Sequence, residues 1–129
     1  MSFTHVISQG VTIENRRVAK SIEITAGHKV SINETLAIGT NVSMPIAIDI
    51  SQVRSFLICS STDMTVKTNS SGSPDNTLTL RAGEPYQWYK PNSGTAYDSF
   101  KLTADVTVLY LTNAAEAVFE LEILSDPTP

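Results

Sequence analysis

Two histidines, one cysteine and thirteen carboxylates are the side chains in this sequence that most often move protons, hold a metal or complete a nucleophilic site. Catalysis needs such groups as a constellation, with a nucleophile, a base and an orienting partner, or several ligands, converging on one point. Their spacing supplies no such set. His5 lies in the N-terminal segment and His28 in the turn-like stretch Ala26-Gly27-His28-Lys29, so both read as surface histidines. A zinc site needs closely spaced ligands on one element and a further ligand elsewhere, which two isolated histidines do not provide. Cys59 sits in the apolar run Ser55-Phe56-Leu57-Ile58-Cys59, reads as a buried structural thiol and has no second cysteine to pair with. Asp75 and several hydroxyls occupy the Ser70 to Asn76 loop. A good calcium site needs six to eight oxygens and several carboxylates, so this reads as an ordinary polar loop. Phosphate-binding glycine loops, nucleophile elbows and dinucleotide fingerprints are absent from the sequence. The expectation is a protein that is not an enzyme and carries no cofactor or metal.

The remaining chemically distinctive residues are aromatic. Leu80 to Gly94 gathers the single tryptophan, Trp88, with Tyr86 and Tyr89. In a strand, Tyr86 and Trp88 share one face and Gln87 and Tyr89 the other, so aromatics stand on both sides. Trp88 then fills a core while Tyr89 lies along the surface. Alternatively Tyr86, Tyr89 and Tyr97, with Phe3 from the N-terminal segment, stand on a protein contact surface, where tyrosine buries much area and keeps a polar handle. A sugar stacking on the same rings would make the chain a binding module.

The elements that position these residues are strands. Apolar residues recur two apart in Ser21 to Thr25, at Val30 and Ile32, at Ile46, Ile48 and Ile50, at Met64 and Val66, at Leu78 and Leu80, and at Phe100 and Leu102. Val106 to Leu111 reads as a central strand, and Val118 to Leu124 alternates with its glutamates outward. Turn signals separate these runs: Ala26 to Lys29, Gly39-Thr40-Asn41, Ser70 to Asn76, Ala82-Gly83-Glu84-Pro85 and Pro91-Asn92-Ser93-Gly94. Asn113 to Ala117 is too short to nucleate a helix and turns the chain between the last two strands. The sequence therefore predicts an all-β fold, an antiparallel β-sandwich or jelly-roll-like domain of eight to ten short strands spaced about 8 to 12 residues apart. It is expected to be one domain over residues 1–129. Phe3, Val6 and Ile7 could form an edge strand or an arm, about residues 1–10, that packs on another subunit. Residues 126–129, with Pro127 and Pro129, form an irregular tail.

Composition narrows the classes further. An apolar share of 41% against 17% charged residues belongs to a folding chain, and 15 serines with 15 threonines suit strand faces and turns. The net charge is −4 and the nine basic residues are scattered, with Arg16 and Arg17 the one adjacent pair. Phosphate binding needs clustered cations, so nucleic acid is not an expected partner. No window approaches the roughly 20 apolar residues of a membrane helix, and the N-terminus has no secretory-signal pattern. Neither a membrane nor export is expected. The triplets at Asn33, Asn41 and Asn69 resemble glycosylation acceptors, which a chain this rich in serine and threonine produces by chance.

The stretch "LTLRAGEPYQWY" at Leu78 to Tyr89, followed by "VTVLYLTNAAEAVFELEILSDP" from Val106, resembles the small structural proteins of tailed bacteriophages, in particular the capsid cement, or decoration, proteins. The resemblance covers roughly the last 60 residues and is one of pattern, without an invariant motif. It implies a β-sandwich or jelly-roll-like virion protein, made in the host cytoplasm, that forms a homotrimer on the outer capsid surface. Its partners would be other copies of itself and the major capsid protein, whose subunits it clamps together. The alternative is a phage tail or fibre accessory domain that binds a carbohydrate or a receptor.

Overall fold

The computed structural model describes residues 3–13, 16–91, 95–96 and 98–126, and within the first two strands the side chains of residues 3–8 and 23–26. Ten strands account for the regular structure: β1 Phe3–Ile13, β2 Arg16–Ala26, β3 His28–Leu36, β4 Gly39–Ile48, β5 Val53–Ser60, β6 Met64–Thr68, β7 Thr77–Leu80, β8 Tyr86–Tyr89, β9 Val106–Asn113 and β10 Ala117–Ser125. All pair antiparallel, and the described residues contain no helix. The chain is an all-β sandwich.

From β3 onward the pairing is nested. β6 pairs with β7, β5 with β8, β4 with β9 and β3 with β10. This is one long hairpin whose tip is the loop before Thr77. Folding it over brings β10 against β5 and β9 against β6, and it closes two four-stranded sheets of order β3-β10-β5-β8 and β4-β9-β6-β7. That is the jelly roll. The four edge strands are each blunted against further pairing. β4 carries Pro45 and two register shifts, β7 and β8 have four residues each, and β3 places the exposed Glu34 opposite the core residue Phe119, on the core-facing side.

Strand alternation fills the space between the sheets. Ala117, Phe119, Leu121 and Ile123 of β10 meet Phe56 and Ile58 of β5, and across from them stand Met64, Val66, Leu78, Leu80, Leu109 and Leu111. Phe119 and Leu121 are both 0% exposed. The connection from β8 to β9 closes one side. Phe56 lies 5.2 Å from Phe100, and Phe100 stacks on Trp88 with centroids 4.5 Å apart. Phe100 and Leu102 thus reach the core from an irregular segment, although their spacing predicts a strand; among the described residues no strand pairs with them. Gly39 to Asn41, expected as a turn, begins β4, and the irregularity is taken up by a bulge and by Asn41 at φ 50°. Cys59, expected in the core, is half-buried on the outer face beside Glu120, because Phe56, Ile58 and Ser60 take the inward positions of β5. The segment from Asn113 to Ala117 does turn the chain between β9 and β10, held by Asn113 Nδ2, which donates to the carbonyls of Ala37 and Ala115.

β1 and β2 form a separate two-stranded ribbon paired over eleven positions, from Phe3↔Ala26 to Ile13↔Arg16. Its base lies on the outer face of the β3-β10-β5-β8 sheet, where Ile7, Ile24 and Ala26 enclose Leu124, with Phe3 and Tyr89 at the margin. The N-terminal segment is therefore a strand that packs on its own chain. The ribbon also explains why β10 ends with two consecutive buried residues: Ile123 faces the sandwich core and Leu124 faces the ribbon. At the other terminus, Asp126 N donates to Gln52 O, and residues 127–129 lie outside the described residues.

Candidate functional site

Beside the ribbon's small core, ribbon and sheet part to leave a cleft of about 310 Å³, lined by residues of β1, β3, β5, β8 and β10. Sheet register places Glu122, Leu57 and Gln87 side by side across its floor. His5 enters from the ribbon, and its Nδ1 lies 2.8 Å from Ser55 Oγ. Ser31 Oγ donates to Glu122 Oε1, whereas Glu122 Oε2 is buried without a hydrogen-bond partner. Lys29 completes the charged rim. Burial holds the His5 imidazole below its usual range; the charge of Glu122 opposes that shift and Lys29 adds to it.

Serine, histidine and glutamate in one cleft are the residue types of a nucleophilic triad, but the geometry serves a different end. Ser55 is 3% exposed, and its strand is paired on both sides, with Leu124 and with Tyr89. A nucleophile must reach a substrate, and this hydroxyl is buried and held against the His5 ring between ribbon and sheet. The His5–Ser55 contact is a polar clip between ribbon and sheet. His28 is exposed at the start of β3, and the described residues contain no group of three or more histidine, cysteine or acidic side chains placed to hold a metal. Asp75 accepts from Asn69 Nδ2 within its own loop.

The sequence-derived aromatic surface is divided. Tyr89 and Phe3 each pack against the margin of the ribbon core. Tyr86 faces the other way and packs 5.9 Å from Phe56. The ammonium of Lys101 lies 4.6 Å from the Tyr86 ring centroid, and its hydroxyl accepts from Lys101 N. Burial raises the Tyr86 phenol above its ordinary range. Trp88 shares the Tyr86 side and donates Nε1–H to Asp98 O at 2.7 Å. Phe3, Tyr86 and Tyr89 are all half-buried, and Tyr86 and Tyr89 stand on opposite faces and form no common platform. Tyr97 lies outside the described residues.

A second surface was not anticipated. The turns leading into β4, β6, β8 and β10 all lie at one end of the sandwich, tied by Ser61 N to Val118 O at 3.0 Å, Gly83 N to Ser60 O at 2.8 Å and Ala82 N to Asp63 Oδ1 at 2.9 Å. Ile38 is 70% exposed there, Val42 50% and Val118 39%. Gly39 permits this arrangement, since a Cβ at that position would stand 2.5 Å from Val42 Cγ2. At the same end Ala82, Ala114 and Ala115, with Ser61, Thr62 and Asp63, line a shallow depression of about 340 Å³. Burial against the sandwich cannot explain aliphatic residues placed this way, and exposed apolar surface gathered at one end is where a contact can form. The signal in the sequence is the aliphatic residue standing out of phase, Ile38 between two strands and Val118 beside Phe119.

No protein-family model and no curated protein matches the chain. A solved structure from work on Bacillus endospore appendages, described as a novel family of disulfide-linked pili, aligns over 98% of this chain and 92% of that one, with 16% identity and a TM-score of 0.40. At that level the likeness bears on neither mechanism nor partners.

Proposed function

We propose that this chain is a non-enzymatic structural protein of a phage particle, a cement or decoration protein that sits as a homotrimer on the outer capsid surface and ties neighbouring major capsid subunits together. The observation that carries the reading is the end of the jelly roll where Ile38, Val42 and Val118 stand in solvent and exposed alanines line a depression. A rigid sandwich with blunted edges presents that end as a fixed surface, and a shell offers the same partner surface many times over. An interface of ordinary size takes about 800 Å² per partner. That is roughly a tenth of the 7870 Å² accessible surface of the chain, so one end of the sandwich is enough. Repetition around a shell makes modest contacts strong in sum.

The purified protein is expected to scatter light as a species of three times 14.0 kDa and to co-sediment with empty shells of its cognate phage. Val42→Asp should weaken shell binding at least tenfold while leaving the circular dichroism spectrum unchanged. A monomer at every concentration that also ignores shells would sink the proposal. The cleft favours one alternative, a tail or fibre module for a carbohydrate, because Glu122, Gln87, Lys29 and His5 offer sugar hydroxyls both donors and acceptors over the apolar Leu57. Chemical-shift changes confined to those residues on titration with a glycan panel would support that reading.

A further inference from the structure

The ribbon is joined to the rest of the protein by one connecting residue and a small apolar cluster of its own. Its buried side chains do not join the main core; Ile7, Ile24 and Ala26 form their own cluster with Leu124. Beside that cluster lies an open cleft, bridged by the His5–Ser55 contact. The covalent link is a single residue, since β2 ends at Ala26 and β3 begins at His28. That residue, Gly27, is exposed, and nothing lies within 4 Å of where its Cβ would be. Eleven paired residues give the ribbon a length of about 36 Å, comparable with the width of a small domain. The groups that seat the ribbon, Leu124, Ser55 and Tyr89, all lie on the jelly roll, so a second copy of the chain offers an identical seat.

We propose that the β1–β2 ribbon is an exchangeable arm, which swings about Gly27 and docks on the β3-β10-β5-β8 face of a neighbouring copy through the contacts it makes in its own chain. Exchange of an identical element adds no new contact to stabilise; only the path through Gly27 changes. The inference concerns contacts between copies alone and stands whether or not the assembly is a phage head.

The test uses full-length chains in a Cys59→Ser background, one carrying His5→Cys and the other Ser55→Cys, with distinct tags and co-expressed. A short bismaleimide should link the two tagged chains at least tenfold more efficiently than it links either variant to itself. A third chain carries both His5→Cys and Ser55→Cys; cross-links that form only within it, and never between the two single-cysteine chains, would overturn the proposal. Hinge length supplies a second reading that does not depend on the cysteine variants folding. Three glycines inserted after Gly27 should shift the mass measured by light scattering toward monomer, and deletion of Gly27 should shift it toward oligomer, each by at least tenfold in the dissociation constant. An unchanged mass in both also refutes exchange. A protein that fails these tests yet sediments with shells would keep its proposed function and lose its exchangeable arm.

Discussion

His5 is the residue in which local chemistry and architecture meet. Ser55 of β5, Glu122 of β10, Lys29 of β3 and Gln87 of β8 all face the cleft it enters. Burial lowers its proton affinity below the ordinary 6.5, so the folded protein takes up this proton less readily than the unfolded chain does. The stability contributed by the neutral, docked ring is thus present above pH 6.5 and is lost as pH falls through the lowered value. Amides at the ribbon base are expected to exchange faster at pH 5 than at pH 7.5, after correction for intrinsic rates, while those of β9 and β10 change little. His5→Gln should flatten that dependence. Equal pH slopes in the variant and the parent would assign the effect to another group.

At the scale of elements, the two apolar clusters should respond independently. β10 is paired on both sides, and Phe119 is wholly buried between the sheets. Phe119→Ala should therefore cost about 3–5 kcal/mol in denaturant unfolding, through lost burial and the cavity left behind. Ile24 is as deeply buried, but in the ribbon cluster. Ile24→Ala should leave the main transition within about 1 kcal/mol of the parent and instead abolish exchange protection in β1 and β2, because the ribbon can open alone. A common loss in both assays for both variants would mean that ribbon and sandwich are one cooperative unit.

For the molecule as a whole, the β6–β7 tip is where paired strands lie closest in sequence within the nested hairpin from β3 onward. Asn69 organises that tip in the left-handed region at φ 68°, with its Nδ2 donating to Asp75 Oδ2 and Asp105 O and its Oδ1 accepting from Thr107 N. Asn69→Ala should cost about 1–3 kcal/mol from the lost hydrogen bonds and the unfavourable backbone. If rolling starts at the tip, most of that cost should appear as slower refolding in stopped-flow fluorescence. An unchanged refolding rate with faster unfolding would place the start elsewhere.

The strands and their inward faces were readable from the sequence because a period of two is a local property. Phe119 and Leu121, Met64 and Val66, and Leu78 and Leu80 are buried where alternation puts them, and Tyr86 and Tyr89 divide between faces as their spacing requires. Alternation also misled where side chains reached the core without a partner strand, at Phe100 and Leu102. Strand order, the nested hairpin and the landing of the ribbon on its own sheet depend on which distant segments pair, and local pattern carries no record of that. Leu124 breaks the alternation of β10, but only the ribbon above it gives the break a meaning. His5 and Ser55 lie fifty residues apart and read singly as ordinary polar residues; the tertiary structure alone makes them partners. The apolar end was decided the same way, since Ile38, Val42 and Val118 come to one end of the molecule only when four turns are gathered there.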